Sequence, residues 1–242
     1  SLDISIKKDF DHEILINEVY NKLIEEAYFI VSQSNFKDQI IHLVVNEIIV
    51  DDNKKLDNII EDIKIKSLII KIKFICLSKI LIDEILKIFK KNNLKILNLY
   101  CSSYIKTIFH KKKLEDKNYF IFIDIGFKRT SGLIFKGNRL EYFKSISLGG
   151  NNITKDISKV LKLNLEYSEE LKIKFNRLEN EISFNKSSTD EMNLYSEILE
   201  KNISINLLKQ IIEARINEII DLVIFSNNYI KNFNSLTKPK LF

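Results

Sequence analysis

Proline occurs once in this chain, at Pro239, and glycine five times in 242 residues. With no proline before that point and no low-complexity run, nothing marks a flexible linker, so the parts of the chain are expected to pack together. Cysteine is almost as scarce. Cys76 and Cys101 stand in apolar surroundings without a C-x-x-C spacing, which argues against a metal ligand or redox pair and suits small buried thiols in a reducing cytoplasm. An excess of one charge is lacking too: 38 Lys and Arg against 33 Asp and Glu leave a formal net charge of +5. The only basic block, His110-Lys111-Lys112-Lys113, reads as the solvated end of a helix rather than a stripe that tracks phosphates, so no nucleic-acid partner is expected. The longest apolar region, Leu68 to Phe89, is interrupted by Lys71, Lys73, Lys79, Asp83, Glu84 and Lys87. It is not a spanning helix, and no signal-peptide pattern precedes it.

What is present is enough for a substantial core, since hydrophobic residues make up 45% of the chain, and the length suits one large domain or two small ones. The abundance of Ile, Lys and Asn looks like genomic base bias, which weakens arguments from residue type alone. The chain starts at Ser1 rather than Met and stops soon after an apolar-periodic helix; a fragment is expected.

Ile4 and Ile6 alternate with polar residues and read as a short strand. Ile16, Val19, Tyr20, Leu23, Ile24 and Ala27 recur at helical spacing, with Asp9 or Asp11 placed to cap that helix. Gln39 to Val50 reads as a strand or strand pair that turns at Asp51-Asp52-Asn53. Leu68, Ile70, Ile72 and Phe74 alternate against Lys71 and Lys73 as a half-buried strand. Ile80 to Phe89 is a helix ended by Asn92-Asn93, Leu94 to Leu99 a returning strand, and Tyr104 to Phe109 a short helix. Residues 1 to 100 thus form an α+β unit. Later, Ser168 is placed to cap a helix with the stripe Leu171, Phe175 and Leu178, while Glu181 to Asp190 is polar without a period. The last helix, Ile205 to Phe225, carries Leu208, Ile211, Ile212, Ile219 and Leu222 on one side and Arg215 at its middle.

All five glycines, Gly126, Gly132, Gly137, Gly149 and Gly150, fall between Tyr119 and Lys172. Glycine permits φ > 0 and close backbone approach, so this window is the first place to look for a site. Tyr119 to Ile123 is an apolar strand that delivers Asp124 just before Gly126. Leu133 to Phe135, the turn Lys136-Gly137-Asn138 and Leu140 to Ile146 follow as further strands. The first turn holds an acid, a glycine, Thr130 and Ser131. Such a turn can aim N–H groups at a phosphate while the carboxylate holds a hydrated Mg²⁺ or orients water; an ordinary tight hairpin explains D-I-G equally well. Gly149-Gly150 precedes a helix with Ile153, Ile157, Val160 and Leu161 on its buried face, and its N-terminus offers N–H donors to a ligand; a glycine pair in a plain loop is also common. Glu169 and Lys172, three apart on one helical face, can meet a ribose and a purine or form a surface ion pair.

Taken in order, D-I-G…T-S, L-G-G-N-N-I-T-K-D-I, S-E-E-L-K and I-I-E-A-R-I-N-E-I-I resemble the FtsA family of bacterial cell-division proteins, actin-like members of the sugar-kinase, chaperone and actin superfamily. The G-G-N-N-I-T-K-D-I segment is the most specific, and Ile40-Ile41-His42 followed by Val50-Asp51 is similar to the family's I-L-H…V-D segment. The resemblance implies an α/β fold: an actin-like (ribonuclease-H-like) lobe with an inserted small α+β subdomain of strand-helix-strand type. Residues 1–100 would be that insertion, 101–116 a connecting helix, 117–163 the start of the second actin-like lobe, 164–225 its peripheral subdomain, and 226–242 the return towards the lobe.

By position, Asp124 would be the acid of the second phosphate loop and an indirect Mg²⁺ partner. Gly126, Thr130, Gly149 and Gly150 would lie by the nucleotide, Glu169 and Lys172 would meet ribose and base, and Arg215 would help bind the acidic C-terminal tail of the tubulin-like FtsZ. A long side chain covering the helix through an ordinary ion pair also accounts for Arg215. The implied protein is a self-polymerising scaffold at the cytoplasmic face of the inner membrane, at the septum, which tethers FtsZ filaments and recruits later division proteins. ATP with Mg²⁺ would be its assembly ligand, and it would be a weak ATPase at most.

Phe127, Lys128 and Arg129 stand where the family commonly has two glycines and a threonine, and a bulky Phe127 adopts φ > 0 only at a cost. Lys128 or Arg129 can supply charge to a nucleotide instead. The first phosphate loop, the adenine segment after the last helix and the C-terminal amphipathic membrane helix are missing from the sequence, which leaves the expectation of a central fragment that binds nucleotide poorly. Two other readings of the superfamily remain: a pilus-assembly homologue like PilM, and a sugar or acetate kinase, which would demand a second cleft carboxylate placed like Asp124.

Overall fold

A computed structural model describes residues 1–35, 37–52, 54–56, 63–111, 119–182, 203–226 and 240–241. Its contacts divide the chain into two compact units. The first comprises Ser1–Phe122, Leu133–Phe143 and Lys238–Phe242, and the second Ile123–Gly132 and Lys144–Thr237.

In the first unit, β1 (Leu2–Leu15), β2 (Asp38–Val50), β3 (Lys54–Leu56) and β4 (Lys64–Ser78) form one sheet in the order β1-β4-β2-β3. Its strands pair antiparallel, with β1 running from Leu2 opposite Phe74 at one end to Leu15 opposite Lys64 at the other. Helix α1 (Ile16–Ser34) connects β1 to β2, which gives the strand-helix-strand order. Its Ile16, Val19, Leu23, Ala27 and Val31 recur every three or four residues and pack with Leu68, Ile70, Ile72 and Phe74 of β4 in one core. Each fully buried side chain of this kind stabilises the unit by about 1.5–3 kcal/mol relative to exposure.

From Ile72 to Ile75 β4 is buried on both faces, whereas before that Lys66 and Lys71 leave its second face open, as the alternation suggests. Ile75 belongs to a second cluster with Phe120, Phe135 and Leu140. Lys73, also buried, is held by Asp3 directly opposite it on β1, at 2.6 Å.

Three expectations are corrected here. Neither Asp9 nor Asp11 caps α1: strand pairing carries β1 on to Leu15, and the helix begins at Ile16, whose N–H donates to Ile63 O at 3.0 Å. Gln39 to Val50 belongs to one strand, Asp38–Val50, and not a pair. Leu94 to Leu99 forms no strand; both edges of β4 are already taken by β1 and β2, and Leu94 and Leu97 stay exposed. That segment instead follows α2 (Lys79–Lys91) and leads into α3 (Ser102–Lys111). The Cys101 N–H donates to His42 Nε2 at 2.8 Å there, and burial pushes the imidazole pKa down, which favours the neutral acceptor form. Both cysteines are half-buried free thiols.

Glu47 of β2 gathers three cations. Lys71 Nζ lies 2.7 Å from its carboxylate, Lys55 Nζ 3.0 Å, and Arg139 bonds the same oxygen as Lys55. The hydrogen bond from Lys71, with those from Lys55 and the charge of Arg139, outweighs burial and lowers the Glu47 pKa to about 2. A depressed carboxylate pKa adds stability that is complete above the ordinary value and disappears as pH falls through the folded one. Glu47→Gln is therefore expected to cost about 1–3 kcal/mol at pH 7, and the gap between variant and parent should close between about pH 4.5 and pH 2. Urea unfolding at several pH values reads this out; a gap that does not change with pH would remove the ion cluster as its cause.

A second sheet contains β5 (Tyr119–Ile125), β6 (Thr130–Lys136), β7 (Arg139–Ile146) and β8 (Lys240–Leu241) in the order β7-β6-β5-β8, with β5 and β8 parallel. Gly137, at φ 55°, makes the turn between β6 and β7.

The second unit is built on α4 (Gly150–Leu161), α5 (Leu165–Ile182) and α6 (Ile205–Ile220). Ile153, Ile157, Leu171, Leu208, Ile211 and Ile212 form their common core. Val160 of α4, expected in that face, is exposed. Asn164, not Ser168, caps α5: its Oδ1 accepts from the Tyr167 N–H at 2.8 Å, while the buried Ser168 hydroxyl donates to Asn164 O. The α-helical part of the last helix ends at Ile220 and passes into a π-helical turn, Asp221–Phe225, which leaves Leu222 partly exposed. Lys112, Lys113, Asp190 and Pro239 lie outside the described residues.

Candidate functional site

Strand β5 carries Asp124 to its C-terminal end, half-buried, and the exposed loop Gly126–Arg129 follows. The loop is closed by the Gly126 N–H donating to Arg129 O at 2.9 Å. Phe127, Lys128 and Arg129 all face outward. Thr130 does not: it is fully buried, and its hydroxyl donates to Leu148 O at 2.7 Å, next to the glycine pair. As a nucleotide contact it is committed to the framework.

The N-terminus of α4 packs directly on this loop. The Gly150 N–H donates to Gly126 O at 2.9 Å and the Asn151 N–H to Phe127 O at 2.8 Å. Asn152 closes the helix start by accepting from the Gly149 N–H at 3.0 Å through its side chain. The first two helical N–H groups, which the sequence offers to a ligand, are thus occupied by loop carbonyls. Gly149 sits in extended backbone at φ −165°, a conformation open to any residue. What it provides is space: a Cβ there would lie 2.3 Å from Gly126 O and 2.8 Å from Phe127 O. A Cβ on Gly150 would meet nothing closer than Lys172 Nζ at 3.5 Å.

Helix α5 presents Glu169 and Lys172 to the same end of α4. Lys172 Nζ donates to Glu169 Oε2 at 2.7 Å, to Thr154 Oγ1 at 2.9 Å and to Gly150 O at 3.2 Å, and the Thr154 hydroxyl bonds Glu169. Burial raises the Glu169 pKa, but the bonds from Lys172 and Thr154 together outweigh it and hold the carboxyl below its usual range. Gly126, Thr130, Gly149, Gly150, Glu169 and Lys172 therefore form one contiguous cluster, with Asp124 two residues before Gly126.

Arg215 on α6 is tied to the far side of the same helix. Its Nε and Nη2 donate to the two carboxylate oxygens of Asp156 at 2.5 and 2.9 Å, and its Nη1 bonds Glu218. Thr154 and Asp156 stand in the I-T-K-D-I segment. The T-x-D spacing is visible in the sequence, but it points to no particular residue on α5 or α6.

A carboxylate and an ammonium group converge beside an unhindered glycine; the three N–H donors of Lys172 go to Glu169, Thr154 and Gly150 O, and Glu169 can still accept from a hydroxyl. For phosphate, the outward-facing charges are Lys128 and Arg129 rather than α4 amides. Among the described residues no group of three His, Cys, Asp or Glu side chains gathers to hold a metal ion, and none of the described helices is long and apolar enough to cross a membrane.

Residues 121–238 match the family model described as "Cell division protein FtsA". "Cell division protein FtsA" of Helicobacter pylori, from strains 26695 and J99, is 29% identical over 97 residues, which are 40% of this chain and 20% of each relative. The chain thus matches about a fifth of the length of those curated relatives. Among solved structures, a chain of the "PilM-PilN type IV pilus biogenesis complex" superposes with a TM-score of 0.57 at 13% identity, covering 100% of this chain and 58% of that one. That likeness establishes the fold alone, which is actin-like α/β.

Proposed function

From the FtsA-like character of residues 121–238, we propose that this chain is part of an actin-like cell-division scaffold. It binds the acidic C-terminal tail of FtsZ, polymerises with copies of itself, and joins FtsZ filaments to the cytoplasmic face of the inner membrane at the septum. In this reading the first unit, with its β1-α1-β2 order, supplies the inserted subdomain that meets later division proteins. The domain limits near residues 100, 116, 163 and 225 follow from the same reading.

ATP with Mg²⁺ is the assembly ligand. Glu169 and Lys172 hold the nucleoside against Gly150, Lys128 or Arg129 meets phosphate, and Asp124 reaches the metal through water. The observation that carries this is the convergence of the loop after Asp124, the glycine pair and Glu169-Lys172 on the N-terminal half of α4, within the segment that matches the family. Hydrolysis is at most slow, because the Gly126 N–H is spent on Arg129 O and none of Phe127, Lys128 and Arg129 takes the positive φ that a glycine-rich phosphate loop uses to aim its amides. A PilM-like role in pilus assembly is the second reading, favoured by the superposition over the whole chain.

The first test is a labelled FtsZ tail peptide followed by fluorescence anisotropy. The parent chain is expected to bind it, and Arg215→Gln to weaken binding by about tenfold, a loss of roughly 1.4 kcal/mol. Glutamine is chosen because a glutamate would stand against Asp156 and Glu218 and disturb the helices by itself. Absence of binding by the parent chain would favour the pilus reading, and equal binding by the variant would remove Arg215 from the interface.

A further inference from the structure

Arg215 already holds a carboxylate in the form that an acidic peptide would offer. The planar guanidinium recognises carboxylates through two parallel N–H donors, and here Nε and Nη2 engage the two oxygens of Asp156. Nη1 is turned to Glu218, three residues on along the same helix. An incoming acidic side chain therefore finds no vacant fork on Arg215 unless one of these carboxylates leaves.

The pair lies where it can be opened. The side chains of Arg215 and Asp156 keep 24% and 28% of their surface exposed, so solvent reaches both. Helices α4 and α6 are held together beneath them by Ile153, Ile157, Leu208, Ile211 and Ile212, and that core does not depend on the ion pair. Partly exposed ion pairs contribute little on their own, so exchange of one carboxylate for another leaves the framework intact. Lys159, exposed and three residues after Asp156 on α4, stands on the same helical face. Once Asp156 is displaced, Nε and Nη2 of Arg215 are vacated as a pair while Nη1 stays on Glu218, and Lys159 adds a second cation on the Asp156 face of α4.

We propose that Asp156 is an internal stand-in for the carboxylate of an acidic peptide: it occupies Arg215 in the unbound chain and is displaced when the peptide binds. This rests on the reading that Arg215 takes the acidic FtsZ tail, and it adds a regulation of that site. Affinity is set by competition between a tethered carboxylate and a free one, so the site discriminates against weakly acidic segments that cannot displace Asp156.

The test uses the same labelled FtsZ tail peptide and the 242-residue chain, with Asp156→Asn beside Arg215→Gln. Asparagine keeps the shape and an acceptor for Arg215 but removes the competing charge. The expected result is that Asp156→Asn binds the peptide about two- to fivefold more tightly than the parent, the range that the loss of an exposed ion pair permits, while Arg215→Gln binds it less well. Asp156→Ser, too short to reach α6, repeats the measurement, and circular-dichroism melting confirms that each variant is folded. Unchanged or weaker binding by both Asp156 variants, with Arg215→Gln still defective, would overturn the displacement and leave the peptide site standing. Unchanged binding by Arg215→Gln would overturn both.

Discussion

Gly149→Ala is expected to destabilise the second unit by about 2–4 kcal/mol, whereas Gly150→Ala is expected to leave its stability unchanged or slightly raised. The two glycines are neighbours in sequence and opposite in surroundings. An added Cβ on Gly149 is met within 3 Å by Gly126 O, Phe127 O and Arg129 N, all backbone atoms of one tight loop. None of them can retreat without breaking the bonds that Gly126 and Phe127 accept from α4. Gly150 is the first residue of the helix and has ordinary van der Waals clearance from the rest of the chain; alanine there gains helix propensity.

This separates packing from ligand clearance. If nucleotide lies against Gly150, Gly150→Ala weakens Mg-ATP binding at unchanged melting temperature, and calorimetry beside thermal melting distinguishes the two effects. Equal melting temperatures for Gly149→Ala and the parent would show that the loop is not packed as described. Unaltered nucleotide affinity in a folded Gly150→Ala chain would move the nucleotide away from the glycine pair.

The second large effect is expected in the first unit at Asn46. Its side-chain Oδ1 accepts from the Leu140 N–H at 3.0 Å and its Nδ2 donates to Leu140 O at 3.0 Å. One amide thereby satisfies both main-chain groups of a residue that is fully buried, much as a neighbouring strand would. Asn46→Ala leaves a buried donor and a buried acceptor without their partner, and each such loss costs about 1–3 kcal/mol. Together they should lower stability by about 2–4 kcal/mol, since water recovers part of the loss. Asn46→Asp keeps the acceptor, loses the donor and turns a charge towards Leu140 O, so it should be no better than alanine at neutral pH. Urea denaturation of the three chains gives the comparison. Full stability in Asn46→Ala would mean that Leu140 is satisfied by other groups.

Much of this architecture is legible in the residues themselves. The stripe from Ile16 to Ala27 fixes the buried face of α1, the alternation from Leu68 to Phe74 finds β4, and Lys136-Gly137-Asn138 marks the turn between β6 and β7. These features are local: a period of 3.6 or 2 shows which face is apolar. The failures have the opposite character. Leu94 to Leu99 has the composition of a strand but pairs with none of the strands of either sheet. Asp9 and Asp11 are good capping residues, but Asp9 pairs with Ser67 and Asp11 lies in the irregular stretch of β1 before Ile14. Asn46 reads as an unremarked polar position in β2, because its partner lies 94 residues away.

The candidate site divides in the same way. The glycine pair, Glu169 with Lys172, and Arg215 are visible as motif positions, since their spacing is short or their family pattern distinctive. That Thr154 joins Lys172 across 18 residues and Asp156 joins Arg215 across 59 is a property of the packed helices. No spacing along the chain encodes it.

Helix α4 has a mechanical consequence for any ligand of the second unit. Its first turn is bonded to the loop through Gly150 and Asn151, and its second to α5 through Thr154 and to α6 through Asp156. An α-helix of this length is a stiff strut, and the six steps from Gly150 to Asp156 span only about 9 Å of its axis. A push of a few tenths of an ångström on the loop is therefore not absorbed inside α4. It moves Thr154 and Asp156 together, because both stand on the same stiff segment.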